Sequence, residues 1–205
     1  MARRSASAVD ADRELALQAA VDVASIVGLE GLTIGRLAEQ LGMSKSGLAG
    51  RFGSKEQLQL AALDRAADRF THSVYDPAAG EPAGRSRLLA ICDRWISYFA
   101  EPVFPGGCFL TTASVEFDAR DGAVHDAVKV VMRRWLRVLQ ADAEIAVATG
   151  ELPTDVDPAD VAFTLNALAV GTNCDYQLNR DERVLERGRR AMRSVLAPPD
   201  VCRSR

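Results

Sequence analysis

Residues 33–55 read TIGRLAEQLGMSKSGLAGRFGSK, and the architecture of the first third of the chain follows from them. Thr33 is placed to cap a short helix over 34–41, whose Ile34, Leu37, Ala38 and Leu41 share one face. Gly42 supplies a turn and Ser44 caps a second short helix over 45–52. Gly53 ends that helix, and Ser54 with Gln57 forms a capping-box signature for a longer one. Two short helices joined by a glycine turn and preceded by a longer helix make the helix-turn-helix pattern. At ~100° per residue, Leu48 and Phe52 point inward, Ser46 and Gly50 point directly away, and Gly47 and Ala49 border that outward face. Glycine costs a helix interior about 1 kcal/mol relative to alanine, so Gly47 and Gly50 call for a reason. A face almost bare of side chains gives one: the helix backbone can come close to a nucleic-acid groove.

Outward from this run the chain reads as helices throughout, with little of the period-two alternation of strands. A first helix is expected over 12–27 and is stopped by GLEG (28–31); the capping-box helix reaches about residue 73. YDPAAGEPAG (75–84) reads as a linker. Further helices follow over 85–100, 108–119, 123–149, 158–178 (with Pro158 in the first helical position) and 181–196. The expectation is all-α: about nine helices, with a DNA-binding head over 1–53, a connecting helix and linker over 54–84, and a ligand-binding and dimerisation domain over 85–205.

Composition narrows the function. The 205 residues are 48% hydrophobic and 26% charged, with net charge −3, which excludes binding nucleic acid through bulk positive charge. Residues 1–60 balance seven basic against seven acidic side chains, yet 43–55 carries Lys45, Arg51 and Lys55 and no acid, so any such contact is focal. No run approaches the ~20 apolar residues of a membrane helix, and residues 1–9 lack the apolar core of a signal peptide. Four scattered cysteines with two histidines make no zinc pattern; they fit reduced thiols in a cytoplasmic protein without metal or cofactor. No G-x-S-x-G, HExxH, phosphate-cradling glycine loop or spaced Ser/His/Asp set is present, so an enzyme is not expected.

The stretch GLEGLTIGRLAEQLGMSKSGLAGRFGSKEQLQLAAL (28–63) closely resembles the N-terminal domain of the tetracycline-repressor-type (TetR) transcriptional regulators. The Gly-Leu-Thr lead-in, LAEQLGMSK, the glycine and leucine that follow, Phe52 and SKEQL all fall in register. Carried over residue by residue, the resemblance implies DNA contacts from Thr33, Ser44, Lys45, Ser46, Gly50, Arg51 and Lys55. It departs at Ala49, where the family usually places an aromatic residue on the phosphate backbone; alanine can touch a thymine methyl but cannot hydrogen-bond. Ala49 therefore implies operator reading through backbone approach, flanking cations and DNA shape. On the residues alone, Lys45→Ala and Lys55→Ala are each expected to weaken binding to all DNA and to flatten its salt dependence by about one unit. Arg3 and Arg4 read as a solvated tail or as an arm over phosphates.

Beyond residue 80 the likeness is weaker, carried by GGCFLTTASVEFDARDG and GELPTDVDPADVAFTLNALAVGT. It implies a homodimer in which the helices over 158–178 and 181–196 pair with their two-fold mates, so that two heads read a palindromic operator. The first of these helices is apolar on nearly all sides, which itself demands burial. The same likeness implies a small-molecule effector. Candidate contacts for a largely apolar ligand are Trp95, Phe99, Phe104, Cys108, Phe109, Thr112, Met132, Trp135 and Asn166. His125 is placed to bond a ligand or Asp121, and Cys108, at a helix start, is a candidate redox thiol. The leading reading is a dimeric repressor released from DNA by ligand. A helical small-molecule-binding protein with impaired DNA reading stays open through Ala49.

Overall fold

In the computed structural model the chain is described over residues 6–198, with side chains from residue 12 onward. Among the described residues there are nine α-helices and no strand. They are α1 (Ala6–Val27), α2 (Ile34–Leu41), α3 (Lys45–Phe52), α4 (Lys55–Phe70), α5 (Arg85–Ala100), α6 (Phe109–Phe117), α7 (Ala123–Ala148), α8 (Pro158–Asn179) and α9 (Glu182–Val195). Arg3 and Arg4 lie outside the described residues.

The caps expected from the sequence form. Thr33 accepts from the Arg36 amide at 3.1 Å, Ser44 from Gly47 at 3.1 Å and Ser54 from Gln57 at 3.1 Å. Gly42, at φ 61°, closes α2 as the Met43 amide reaches back to the Ala38 carbonyl at 2.9 Å, the six-to-one bond of a Schellman motif. Asp157 and Asp181 cap α8 and α9 through the amides of Ala159 and Arg183. Two boundaries differ from expectation by more than two residues. α1 begins at Ala6, six residues before the expected start. α4 stops at Phe70 rather than near residue 73 and unwinds through a π turn (Thr71–Tyr75) and a 3₁₀ turn (Asp76–Ala78). Pro77 donates no amide and so interrupts the helical hydrogen-bond ladder there, although Asp76 before it keeps α geometry (φ −58°, ψ −39°). The segment expected to be a linker is thus half helical.

The chain divides into two compact units, each discontinuous in sequence: residues 1–69 with 104–131, and residues 70–103 with 132–205. This cut differs from the sequential expectation of 1–53, 54–84 and 85–205, because 104–131 belongs with the head. In the first unit Ala16, Ala20, Val21 and Ala24 of α1 are buried with Leu37, Leu48 and Phe52 of the helix pair and with Phe109, Leu110 and Phe117 of α6. Arg69 binds Asp22 at 2.7 Å and stacks over the Phe104 ring at 4.9 Å. Gly106 donates its amide to Ser25 Oγ at 3.1 Å, an approach so close that a Cβ at 106 would strike the Ser25 carbonyl. In the second unit Phe70 is the hub of edge-on aromatic contacts to Trp135 (4.8 Å), Tyr98 (5.5 Å) and Trp95 (5.9 Å).

Candidate functional site

In the head, α3 presents the face expected from its sequence. Leu48 and Phe52 are buried, while Ser44, Lys45, Ser46, Gly47 and Gly50 are exposed and Ala49 is half-exposed. A Cβ at Gly50 would meet nothing within 4 Å, so that spot is open. Gly47 is different: a Cβ there would lie 3.0 Å from Ser44 Oγ, so its glycine also makes room for the cap. The first-turn amides of α3 and Ser44 stand at the positive end of the helix dipole, a ready site for a phosphate oxygen.

The cations do not all face outward freely. Lys45 is exposed, its stem beside Gly35, and among the described residues it makes no ion pair. Arg51 turns back from the outward face: its guanidinium lies 3.2 Å from Asp12 of α1 and 3.6 Å from Met43 Sδ, leaving 16% of the side chain exposed. Lys55 is held 2.5 Å from Glu30. Glu30 also accepts from Gln59 Nε2 at 3.3 Å and lies 3.8 Å from Arg120. The Lys55 contact foremost, against a smaller burial penalty, holds the Glu30 carboxyl below its ordinary range. These acids sit 39 and 25 residues from their partners, beyond what periodicity in 43–55 could reveal.

The nine expected ligand contacts separate. Phe104, Cys108, Phe109 and Thr112 belong to the first unit, and Trp95, Phe99, Met132, Trp135 and Asn166 to the second. Thr112 spends its hydroxyl on the Cys108 carbonyl at 3.3 Å, and Cys108 is buried. In the second unit Trp95 and Trp135 meet edge to face at 4.9 Å, almost fully buried. Neither indole N–H, nor the Asn166 side-chain carbonyl, has a hydrogen-bond partner among the described residues. The Gln177 carbonyl is in the same state while its amide donates to Phe99 O at 3.3 Å. Asn166, Asn173 and Gln177 recur at intervals of seven and four, so they share one face of α8.

A family model described as the tetracyclin repressor-like C-terminal domain matches residues 84–192, more than half of the chain, and one described as bacterial regulatory proteins, tetR family, matches residues 16–62. The chain belongs to the TetR family. Solved structures agree. A TetR-family transcriptional regulator from Cytophaga hutchinsonii superposes with a TM-score of 0.80 at 20% identity, over 94% of this chain and 96% of that one. A TetR regulator from Chloroflexus aurantiacus gives 0.78 at 26% identity, over 89% and 92%. The TetR-family regulator CifR, solved with a 26-base-pair double-strand operator, gives 0.74 at 27% identity, over 89% and 96%. Among curated proteins none matches by sequence. At this level the protein is a DNA-binding transcriptional regulator, and no helix of its described residues is long and apolar enough to cross a membrane.

The TetR C-terminal region also presents an outer face on α8. Phe163, Ala167, Gly171, Cys174 and Leu178 are all exposed, Phe163 at 68% and Leu178 at 83%. Their spacing keeps them within about 80° of arc. The opposite face, with Leu165, Ala169 and Thr172, is buried. The all-round apolarity of the sequence thus resolves into one buried face and one uncovered stripe. A groove of ≈ 280 Å³ lies alongside, between α8 and α9, lined by Ala167, Gly171, Val184, Gly188 and Ala191 among others. His125 pairs with Asp126 at 3.3 Å rather than with Asp121. Burial pushes the Cys92 thiol up to about 12, so it is inert at neutral pH.

Proposed function

We propose that this TetR-family regulator is a dimeric repressor that binds a palindromic operator and is released by a small, largely apolar ligand. The observation that carries the reading is the outward face of α3, where exposed Ser44, Lys45 and Ser46 precede the open position of Gly50. That surface suits entry into a major groove with phosphates bonded at the helix start, and base reading that leans on shape. The operator bound by CifR supports the analogy. DNA contacts are assigned to Thr33, Ser44, Lys45, Ser46, Ala49, Gly50, Arg51 and Lys55, with Thr33 Oγ1 shared with its capping bond to Arg36.

The exposed stripe of α8 supports a homodimer through α8 and α9: about 22 Å of helix carries apolar side chains with no cover. For the ligand, Trp95 and Trp135 offer two indole donors within an aromatic cluster and Asn166 offers a side-chain carbonyl acceptor, which suits a neutral, largely apolar molecule with a few polar groups. Binding it shifts the protein between head spacings that do and do not fit successive major grooves; a ~10⁴-fold difference in affinity inverts a 1:99 population.

Selection of bound sequences from a random duplex pool, followed by footprinting, tests the reading. Two protected half-sites about one helical turn apart, or somewhat more, are expected. The pairing of Arg51 and Lys55 with acids favours a second reading, a ligand-binding protein with impaired DNA reading. Enrichment of no sequence at low salt, with ligand binding intact, selects that reading instead.

A further inference from the structure

Lys55 opens α4 beside the DNA-facing helix, yet its ammonium is already engaged. Glu30 Oε1 is 2.5 Å from Lys55 Nζ, while Glu30 Oε2 takes a hydrogen bond from Gln59 at 3.3 Å and lies 3.8 Å from Arg120. Glu30 is fixed from both sides. Gln59, nearly buried, also donates to Leu29 O at 2.8 Å. From α6, the Glu116 carboxylate accepts the amides of Leu29 (2.7 Å) and Glu30 (3.1 Å). A carboxylate so held has the charge and the acceptor oxygens that a DNA phosphate would present to the same lysine. The pair is open to water, each side chain being 40% exposed. Such ion pairs are weak, so a phosphate can compete for the lysine rather than being barred from it.

We propose that Glu30 is an internal counter-anion that competes with DNA phosphate for Lys55 and thereby sets how tightly the head grips DNA. Glu116 is its positioning residue, since it holds the backbone that carries the competing carboxylate. The inference rests on the DNA-binding reading but not on the operator, because phosphate competition is independent of sequence.

The test is a double-mutant cycle in the full-length protein, wild type, Glu30→Gln, Lys55→Ala and the double variant. Binding to a labelled duplex of arbitrary sequence is followed by fluorescence anisotropy across salt. Glu30→Gln keeps the side chain's shape and one acceptor for Gln59 while removing the charge. Each phosphate contact contributes a slope of about −0.9, or roughly threefold in affinity between 50 and 200 mM salt. Glu30→Gln is expected to steepen the slope by about that amount and to bind at least threefold tighter at the low-salt end. Lys55→Ala, which leaves Glu30 facing the phosphates, is expected to bind more weakly than wild type. The double variant, which removes both charges, returns close to wild type. A Glu30→Gln curve that overlays wild type, with the double variant as weak as Lys55→Ala, overturns the competition while leaving DNA binding intact. Failure of both wild type and Glu30→Gln to bind at the lowest salt overturns the DNA reading and this inference together. Binding by Glu30→Gln alone supports it. Circular dichroism and thermal melting confirm that each variant is folded; should Lys55→Ala not fold, Lys55→Met completes the cycle.

Discussion

Asp142 is the most buried carboxylate described in the protein, 1% exposed on α7, and replacing it with alanine should destabilise the second unit severely. Its oxygens accept a bidentate grip from Arg87 (Nε at 2.8 Å, Nη2 at 2.7 Å) and the Gly84 amide at 3.0 Å. The Arg87 guanidinium is held above its usual range mainly by these bonds. Asp142→Ala strands a guanidinium and a backbone N–H together. Removing one member of a buried pair costs about 3–5 kcal/mol. Arg87 retains 21% of its side-chain exposure and can recover part of its hydration, which favours the lower end, about 3 kcal/mol. For a chain of this size that lowers the melting temperature by about 6–12 °C, at 2–4 °C per kcal/mol. Asp142→Asn keeps an acceptor and should lose about half as much. The joint replacement Arg87→Met with Asp142→Leu should recover most of the loss, because it leaves no orphaned charge. Urea unfolding followed by circular dichroism reads all three. An Asp142→Ala variant within about 1 kcal/mol of wild type would falsify the claim that this carboxylate anchors the start of α5.

Gly50→Ala should separate folding from DNA binding: its methyl meets no protein atom, so stability rises by about 0.5–1 kcal/mol, while the duplex affinity falls. Thermal melting and anisotropy on the same sample decide it, and a variant that gains affinity refutes the close approach assigned to α3. Phe163→Glu should convert the proposed dimer to monomer in sedimentation velocity with α-helical content unchanged, and a persisting dimer removes the α8 stripe from the interface. Gly106→Ala places a methyl against the Ser25 carbonyl and should cost about 1–3 kcal/mol or more, visible as an earlier urea midpoint. For pH, the lowered Glu30 pKa means that its contribution is present above the unfolded value near 4.5 and is lost as pH falls through the folded value. Glu30→Gln should therefore flatten the acid limb of stability below about pH 4.5, measured by urea titration across pH.

The elements most legible in the sequence are those specified by neighbours three or four residues away. Thr33, Ser44 and Ser54 cap where their spacing places them, and the bounds of α2, α3 and α5 coincide with expectation. Local chemistry suffices there because a cap bonds an amide two or three residues ahead. What stayed hidden depends on residues far apart in the chain. α5 has no side-chain cap at Gly84; the Gly84 and Arg85 amides are taken instead by Asp142 and Glu151. The amides of Leu29 and Glu30, after α1 ends, are taken by Glu116. No periodicity reports such bonds.

The same distinction governs the candidate site. A net charge of +3 over 43–55 is a count of residues, whereas the charge offered to a phosphate depends on what each cation already touches. Asp12 and Glu30 approach two of the three from outside the helix-turn-helix run, and only Lys45 stands without an ion pair among the described residues. Lys45→Ala should therefore flatten the salt dependence of DNA binding by about 0.9, the full worth of one phosphate contact. Lys55→Ala should lower affinity in the native background largely through the carboxylate it uncovers, whereas in a Glu30→Gln background it should cost a full phosphate contact, about 0.9 in slope and roughly threefold in affinity. The expectation from the sequence treated the two lysines alike. Equal slope changes for Lys45→Ala and Lys55→Ala, each indifferent to Glu30, would restore that equivalence and leave the acids as spectators.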